Sequence, residues 1–472
     1  MSIHAEPIAT FEYELVDGRV GTCAHVFADS ELITAIAHDH SLQQLANVTS
    51  LPGLYGCAFG MPDMHEGYGF PVGGVAATAL PDGVISPGGI GFDINCGVRL
   101  LATDIDRASF APYRERVVHD ISRTIPSGYG HGGRLTLERD VLARVLEGGC
   151  RALLDELDAG LPEDLDVIES GGTLAGADPT AVSERAYARG SDQLGTLGGG
   201  NHFVEVGLVD TVFDEASAAR LGLYAGTITV LIHTGSRGLG HQVCTDFLAL
   251  MDEAQARFGI ALPDRQLACA PLSSPEGRRY LAAMRAAANF AFANRQLIAH
   301  RVRAVFRRHL GVEHTLRLVY DVGHNTAKIE RHGKRELCVH RKGATRAFGP
   351  SSTEIPVRYR GVGQPVFIPG SMGTASYVLV GTDEAAARSF ASVCHGAGRV
   401  LSRGAAKRQV MGNELRRTLE SRGITIRCPS NQELAEEAPE AYKDIDRVVD
   451  VVVGAGLARK VARLVPLGVV KG

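Results

Sequence analysis

ISPGGIGFDINCGVRLL, residues 85–101, brings four glycines to the edge of an apolar run and sets Asp93 and Cys96 three residues apart at that edge. Loops at strand ends are where rigid scaffolds carry binding and catalytic groups. One turn here can present a carboxylate and a thiolate to the same ion or to a pair of ions, and a thiolate can bridge two metals. Four further segments place a metal-type or nucleophilic residue beside glycine or at a strand end. They are LGTLGGGNHFVEV (194–206) with His202, VLIHTGSRGLGH (230–241) with His233, VYDVGHNTAK (319–328) with His324, and VCHGAGRVLSR (393–403) with His395. Singly, each histidine reads as a satisfied structural residue. Together, Asp, Cys and three His offer oxygen, sulfur and imidazole donors, a mixed set that suits a Mn, Fe or Zn class ion better than Mg or Ca. No compact Cys/His knuckle is present, and scattered ligands point to a catalytic rather than a structural site.

Around these segments, apolar and charged fractions of 45% and 22% belong to a soluble globular chain with a large core. Length alone, 472 residues, would allow two or three domains. Glycine is in excess, with 56 residues, and clusters near 56–97, 195–200, 361–381 and 396–398, where tight turns or close backbone approach are required. The nine cysteines are never closer than 25 residues, which suggests no dense disulfide framework and a reducing cytoplasm. No run of about 18 apolar residues appears, so no membrane span is expected.

Periodicity predicts helices at Glu138–Ala159, Gln242–Phe258 and Tyr280–Leu310, and strands at Thr227–Ile232 and Leu316–Tyr320. Periodicity alone gives only mixed α and β. The stretch Gly277–Val312 has eight arginines and no acid; it reads as a solvated basic face or, more sharply, as a strip for a polyanionic backbone. Residues 324–346 carry seven bases against two acids, a local basic patch within a net charge of −4.

Phosphate chemistry has few of its usual signatures. Gly333-Lys334 is followed by Arg335, so no Walker A loop exists, and the lone GxGxxG at Gly128, Gly130 and Gly133 follows no clear strand. Only seven residues are lysine, none in a KxDG motif, so a nucleotidyl-transfer enzyme built on this chain needs another nucleophile. His395 fits. It lies in a small-residue turn leading into an apparent helix, Val400–Met411, whose first N–H groups would favour phosphate, and neutral imidazole is nucleophilic near pH 7.

MPDMHEGYGFPVGGVAA, DINCGVRL, GGGNHFVE, HTGSRGLGHQV, GHNTAK, HRKGA, IPGSMGTASYVL, HGAGRVLSR, AYKDID and VVKG, in this order from about Met61 to Lys471, resemble the RtcB family of RNA ligases. The resemblance implies a single α+β (mixed α/β) domain over 1–472, with mixed β-sheets and a central active-site cleft. It implies joining of an RNA 3′-phosphate or 2′,3′-cyclic phosphate to a 5′-hydroxyl, using GTP and two Mn²⁺ ions. His395 would receive GMP. Cys96 would bridge the ions, with Asp93 and His202 on one and His233 and His324 on the other. Asn201, Asn325, Ser371 and Met372 would meet the nucleotide phosphates and ribose; Glu205, Ser376, Tyr442 and Lys471 would surround guanine. A carboxylate at Glu205 suits guanine, whose N1–H and N2–H it accepts in pairs. If Lys471 has this role the tail must be docked, and a C-terminal tag could harm activity.

Arg237, Arg399 and Lys342 resemble RNA phosphate contacts, and Asp63 is a candidate base for the 5′-hydroxyl, while His65 reads as structural. The expected setting is a cytoplasmic monomer, off the membrane, acting on tRNA halves or broken RNA; an archease-type activator, which assists guanylylation in parts of the family, is a candidate partner whose need the sequence leaves open. A dinuclear metal-dependent RNA-end phosphatase or nuclease without GTP use is the competing enzyme. A non-catalytic RNA-binding or chaperone-like member is the third reading.

Overall fold

Val98–Ala102 and Ile228–Ile232 are near-continuous apolar runs, the signature of strands buried on both faces, and both lie inside the larger of the two main sheets. A computed structural model describes residues 3–16, 23–128 and 132–472; Gly130 of the GxGxxG match lies outside them. The larger sheet runs Arg317–Gly323, Gly97–Asp106, Thr227–Thr234, Phe203–Val212, Ala458–Lys471, Ser376–Gly381, Pro365–Ile368, with Thr425–Arg427 parallel to Ala458–Lys471. The other sheet runs His4–Ala9, Glu12–Val16, Ala24–Phe27, Ala58–His65, Val72–Ala79, Arg335–Lys342, Asn325–His332. Helices and two mixed sheets make the chain α+β, as the resemblance implies. No helix among the described residues is long and apolar enough to cross a membrane.

Strand register gathers the site. Gly97 pairs with both Thr234 and Gly323, Val98 with His233, and Phe203 with both His233 and Lys471. Five neighbouring strands therefore bring Cys96, His202, His233, His324 and Lys471 to one end of the larger sheet. His324 is also the single residue between Arg317–Gly323 in one sheet and Asn325–His332 in the other.

The arginine-rich helix spans Pro275–Leu310, starting five residues before the periodicity predicts. Ser274 caps it by accepting from the Gly277 amide, with Pro275 at the first helical position. Arg278, Arg279, Arg307 and Arg308, near its two ends, are exposed, but the basic face is not continuous. Arg295 and Arg303 are buried and paired with Asp321 and Asp164, acids far away in sequence. Arg295 Nη1 donates to the carbonyls of Asn95 (2.7 Å) and Thr234 (2.9 Å), pinning the loop of Cys96 to the end of the His233 strand. Asn294 likewise ties residues 195 and 196 to Gly235.

Asp321 receives Arg99 (2.6 Å) as well as Arg295, all three side chains being fully buried. Asp321→Ala leaves two desolvated guanidinium groups without their counter-ion. Removing one partner of a buried pair costs about 3–5 kcal/mol, so urea unfolding should show a loss of that size. An unchanged midpoint would mean that neither arginine relies on this carboxylate.

The basic patch at 324–346 also dissolves on folding. Lys328, Arg341, Lys342 and Arg346 are buried; Lys328 and Arg346 pair with Glu169, and Arg341 with Glu330. Only Arg331, Lys334 and Arg335, at a hairpin tip, are exposed. One pair of cysteines, Cys23 and Cys57, forms a disulfide, which is short of a dense framework.

Candidate active site

The turn at 93–96 is held from several sides. Asn325 Nδ2 donates to the Asp93 carbonyl (3.0 Å), the Asn95 amide to the Asn325 carbonyl (2.7 Å), and the His324 amide to the Cys96 carbonyl (2.8 Å). Within this frame Cys96 Sγ lies 3.4 Å from His202 Nε2 and 3.4 Å from His233 Nε2. His202 Nε2 is 2.9 Å from Asp93 Oδ2, and His233 Nε2 is 3.3 Å from His324 Nε2. Two ligand triads thus share one sulfur: Asp93, Cys96, His202 and Cys96, His233, His324. A Cβ at Gly235 would fall 2.4 Å from both Asp93 carboxylate oxygens, so this turn tolerates only glycine.

The donors fit a cation. Burial drives the three imidazoles toward their neutral form, which leaves a ring nitrogen lone pair for a metal. Burial tends to raise the Asp93 carboxyl, but the adjacent His202 outweighs it and holds Asp93 at about 2. Burial and the Asp93 charge push the Cys96 thiol well up, and a coordinated ion is what would convert it to thiolate. The buried Nε2 atoms of His233 and His324 face each other and the sulfur, a convergence that serves a shared ion better than an apolar core.

A cleft of about 260 Å³ opens onto these triads, lined from both sheets and by the 369–372 and 395–399 turns. His395 follows the short strand Ser392–Cys394, which pairs with Ala344–Arg346. Its Nδ1 is 2.6 Å from Asp63 Oδ2, and its backbone N–H donates to the same oxygen at 3.1 Å. Gly398, at φ +74°, brings the turn within 2.2 Å of the Asp63 carbonyl, measured from where a Cβ would stand. Asp63 itself is fully buried. Its Oδ2 on Nδ1 places it to orient the His395 ring, a different task from the base for the 5′-hydroxyl that the sequence suggests. The expected helix at 400–411 also differs: it spans Arg403–Gln409 and is capped by Ser402, so its amides do not serve His395.

Asn201, Glu205, Asn325, Ser371, Met372, Tyr442 and Lys471 all line the cleft. Asn325 Oδ1 is occupied by the Gly343 amide (2.8 Å). Ser376 is buried outside the lining, where its hydroxyl accepts from the Gly370 amide (3.2 Å), so it supports the 370–372 turn from behind. Burial pushes the Glu205 carboxyl up to about 8, with Lys471 opposing that rise.

Of the three basic residues resembling RNA contacts, Lys342 and Arg399 line the cleft, and all three are hydrogen-bonded within the protein. Lys342 is buried, donates to the carbonyls of Tyr68 (2.9 Å) and Gly88 (3.1 Å), and burial lowers its amine to about 7. Arg399 reaches the Leu401 and Glu436 carbonyls, Glu437 (3.1 Å) and the Tyr442 hydroxyl (3.0 Å). Arg237 binds Thr196 Oγ1 (3.1 Å) and the Gly128 carbonyl (3.2 Å) beside Asp93.

Sequence reasoning missed Glu437. It lies on the cleft wall, accepts from Arg399 and Tyr442, and faces Lys471 Nζ at 3.6 Å. The acid-free run at 392–411 hid it, since its counter-charges come from the helix Asn431–Glu436 and the residue after it. His65, taken as structural, also lines the cleft, and burial lowers it to about 4.

The family model described as tRNA-splicing ligase RtcB matches residues 44–472. The tRNA-splicing ligase RtcB of Archaeoglobus fulgidus is 52% identical over 95% of the chain and 94% of its own length. The one from Thermococcus kodakarensis is 50% identical over 98% and 97%. The RNA-splicing ligase RtcB of Mycobacterium tuberculosis is 53% identical over 91% and 100%.

Proposed function

The chain belongs to the RtcB family, and on that footing we propose that it is a GTP- and Mn²⁺-dependent RNA ligase joining 3′-phosphate or 2′,3′-cyclic phosphate ends to 5′-hydroxyl ends. The observation that carries this reading is His395, fixed through Nδ1 on a buried carboxylate, in the same cleft as two ligand triads that share Cys96.

A carboxylate oxygen only accepts, so Asp63 keeps the proton on Nδ1 and leaves the lone pair on Nε2. Nε2 attacks the α-phosphorus of GTP; the N–P bond forms as the P–O bond to pyrophosphate breaks. Asp63 offsets the positive charge that grows on the ring. When bound, two divalent cations at the triads would neutralise the triphosphate and stabilise the departing pyrophosphate. An RNA 3′-phosphate oxygen then takes GMP from His395, which regains its lone pair. A 2′,3′-cyclic end is first opened by water to the 3′-phosphate; the 5′-hydroxyl oxygen displaces GMP, its proton passing to solvent, and closes the phosphodiester.

Incubation with α-labelled GTP and Mn²⁺, followed by peptide mass spectrometry, tests the reading. An acid-labile guanylate on His395, together with sealing of 3′-phosphate to 5′-hydroxyl RNA, is expected. No adduct, with 3′-phosphate removal retained, would establish the phosphatase or nuclease instead.

Glu205 gives a pH signature. Accepting both N1–H and N2–H of guanine requires the ionised carboxylate, which is the minor form below about 8. Raising pH from 7 to 8 should therefore tighten GTP about fivefold, following the ionised fraction. Glu205→Gln should flatten that dependence and cut GTP-over-ATP preference by about tenfold. The check is half-saturation of guanylylation by each nucleotide; an unchanged ratio would remove Glu205 from the base pocket.

A further inference from the structure

Away from the cleft, Cys23, His25 and Cys57 place one nitrogen and two sulfurs within 4.8 Å of one another. Cys23 and Cys57 immediately precede the parallel strands Ala24–Phe27 and Ala58–His65, in which Ala24 is opposite Ala58. This register sets their Cα atoms 4.6 Å apart, and here they close a disulfide. His25 is not a bystander. Its Nδ1 is 2.7 Å from Glu12 Oε1, and Glu12 is in turn held by Arg388. Glu12 therefore keeps the proton on Nδ1, and Nε2, 4.0 Å from Cys23 Sγ, turns its lone pair toward the sulfurs. A disulfide has no use for such a nitrogen, whereas a carboxylate-oriented histidine beside two cysteines is the donor set of a zinc-class ion.

We propose that Cys23, Cys57 and His25 form a further metal site, exclusive with the disulfide, that takes Zn²⁺ when the pair is reduced. A dithiol reductant supplies two electrons and two protons; the S–S bond breaks, two thiols form, and the reductant closes its own disulfide. Zinc binding then releases both thiol protons, and water fills the fourth position. Zinc–sulfur bonds of about 2.3 Å put the sulfurs roughly 3.7 Å apart, within reach of side-chain rotation at these Cα positions. All three residues are partly exposed, so reductant and ion have access.

The test is site-resolved alkylation of the full-length protein, reduced with dithiothreitol and desalted without oxygen, with and without Zn²⁺. Zinc should slow labelling of both Cys23 and Cys57 by at least about tenfold and leave the partly exposed Cys428 unchanged. His25→Ala should abolish that protection while the disulfide still forms in air. Labelling rates indifferent to zinc, equal protection in His25→Ala, or a pair that resists reduction would each overturn the proposal. The readout is independent of ligase activity.

Discussion

Cys96→Ala is expected to empty both metal sites and reduce guanylylation of His395 to background. Its sulfur is the one atom common to the two triads, 3.4 Å from a histidine nitrogen on each side. Alanine leaves Asp93 with His202 and His233 with His324, two separate pairs of ligands. The side chain is small and its neighbours are fixed by backbone bonds from Asn325, His324 and Arg295, so the fold should survive the change. Metal analysis after dialysis should fall from about two Mn²⁺ per chain to near zero, with circular dichroism unchanged. Acid pH should release the ions from the unaltered protein, because protons compete for the same imidazoles and thiolate. Full metal content or a normal adduct in Cys96→Ala would refute the shared-sulfur geometry.

Asp63 provides the second large effect, and two substitutions separate its contributions. In Asp63→Ala, Nδ1 loses its acceptor, so the ring is free to turn and to carry its proton on Nε2, where it blocks attack. Knocking out the equivalent aspartate in a hydrolase triad costs about 10⁴ in rate, and a fall of about 10³ to 10⁴ in single-turnover guanylylation is expected. Asparagine should do better. The His395 backbone N–H and Nδ1 converge on the same Asp63 oxygen, so the fixed amide donor would draw the asparagine carbonyl to that position and preserve the tautomer. Only the charge is lost, and a fall of about 10- to 100-fold follows from weaker stabilisation of the imidazolium. Metal content should be normal in both, unlike Cys96→Ala. Equal losses would mean that charge alone matters, and an active Asp63→Ala would remove the residue from the mechanism.

The sequence segments around Asp93, Cys96, His202, His233 and His324 could be recognised because each joins a glycine turn to a strand, and folding aligns those strand ends. What escaped notice was the partner of each charge. Arg295 and Arg303 look like surface bases until Asp321 and Asp164 arrive from other elements; Lys328 and Arg346 look like a patch until Glu169 arrives. Arg399, Arg403 and Lys407 sit in an acid-free run, yet they meet Glu436 and Glu437. Periodicity places a residue on a face but says nothing of the opposing charge. Asp63 could be seen to lie near the chemistry, but its burial under the turn at Gly398 could not, because that contact joins residues far apart in the chain. The Cys23–Cys57 contact comes from strand pairing across 34 residues, with no local motif to announce it.

The one-residue passage at His324 limits how the chain can vary in length. Strands alternate faces with every residue, so one amino acid inserted between Tyr320 and Lys328 would reverse the facing of everything beyond it in the second sheet. Asn325 would lose its hold on the Asp93 turn, and Lys328 and Glu330 would be turned away from their buried partners. A deletion would do the same in the opposite sense. Insertions and deletions should therefore be lethal to activity across this stretch, while the hairpin tip at 331–335 should accommodate them, a contrast that a library of single-codon indels would expose directly.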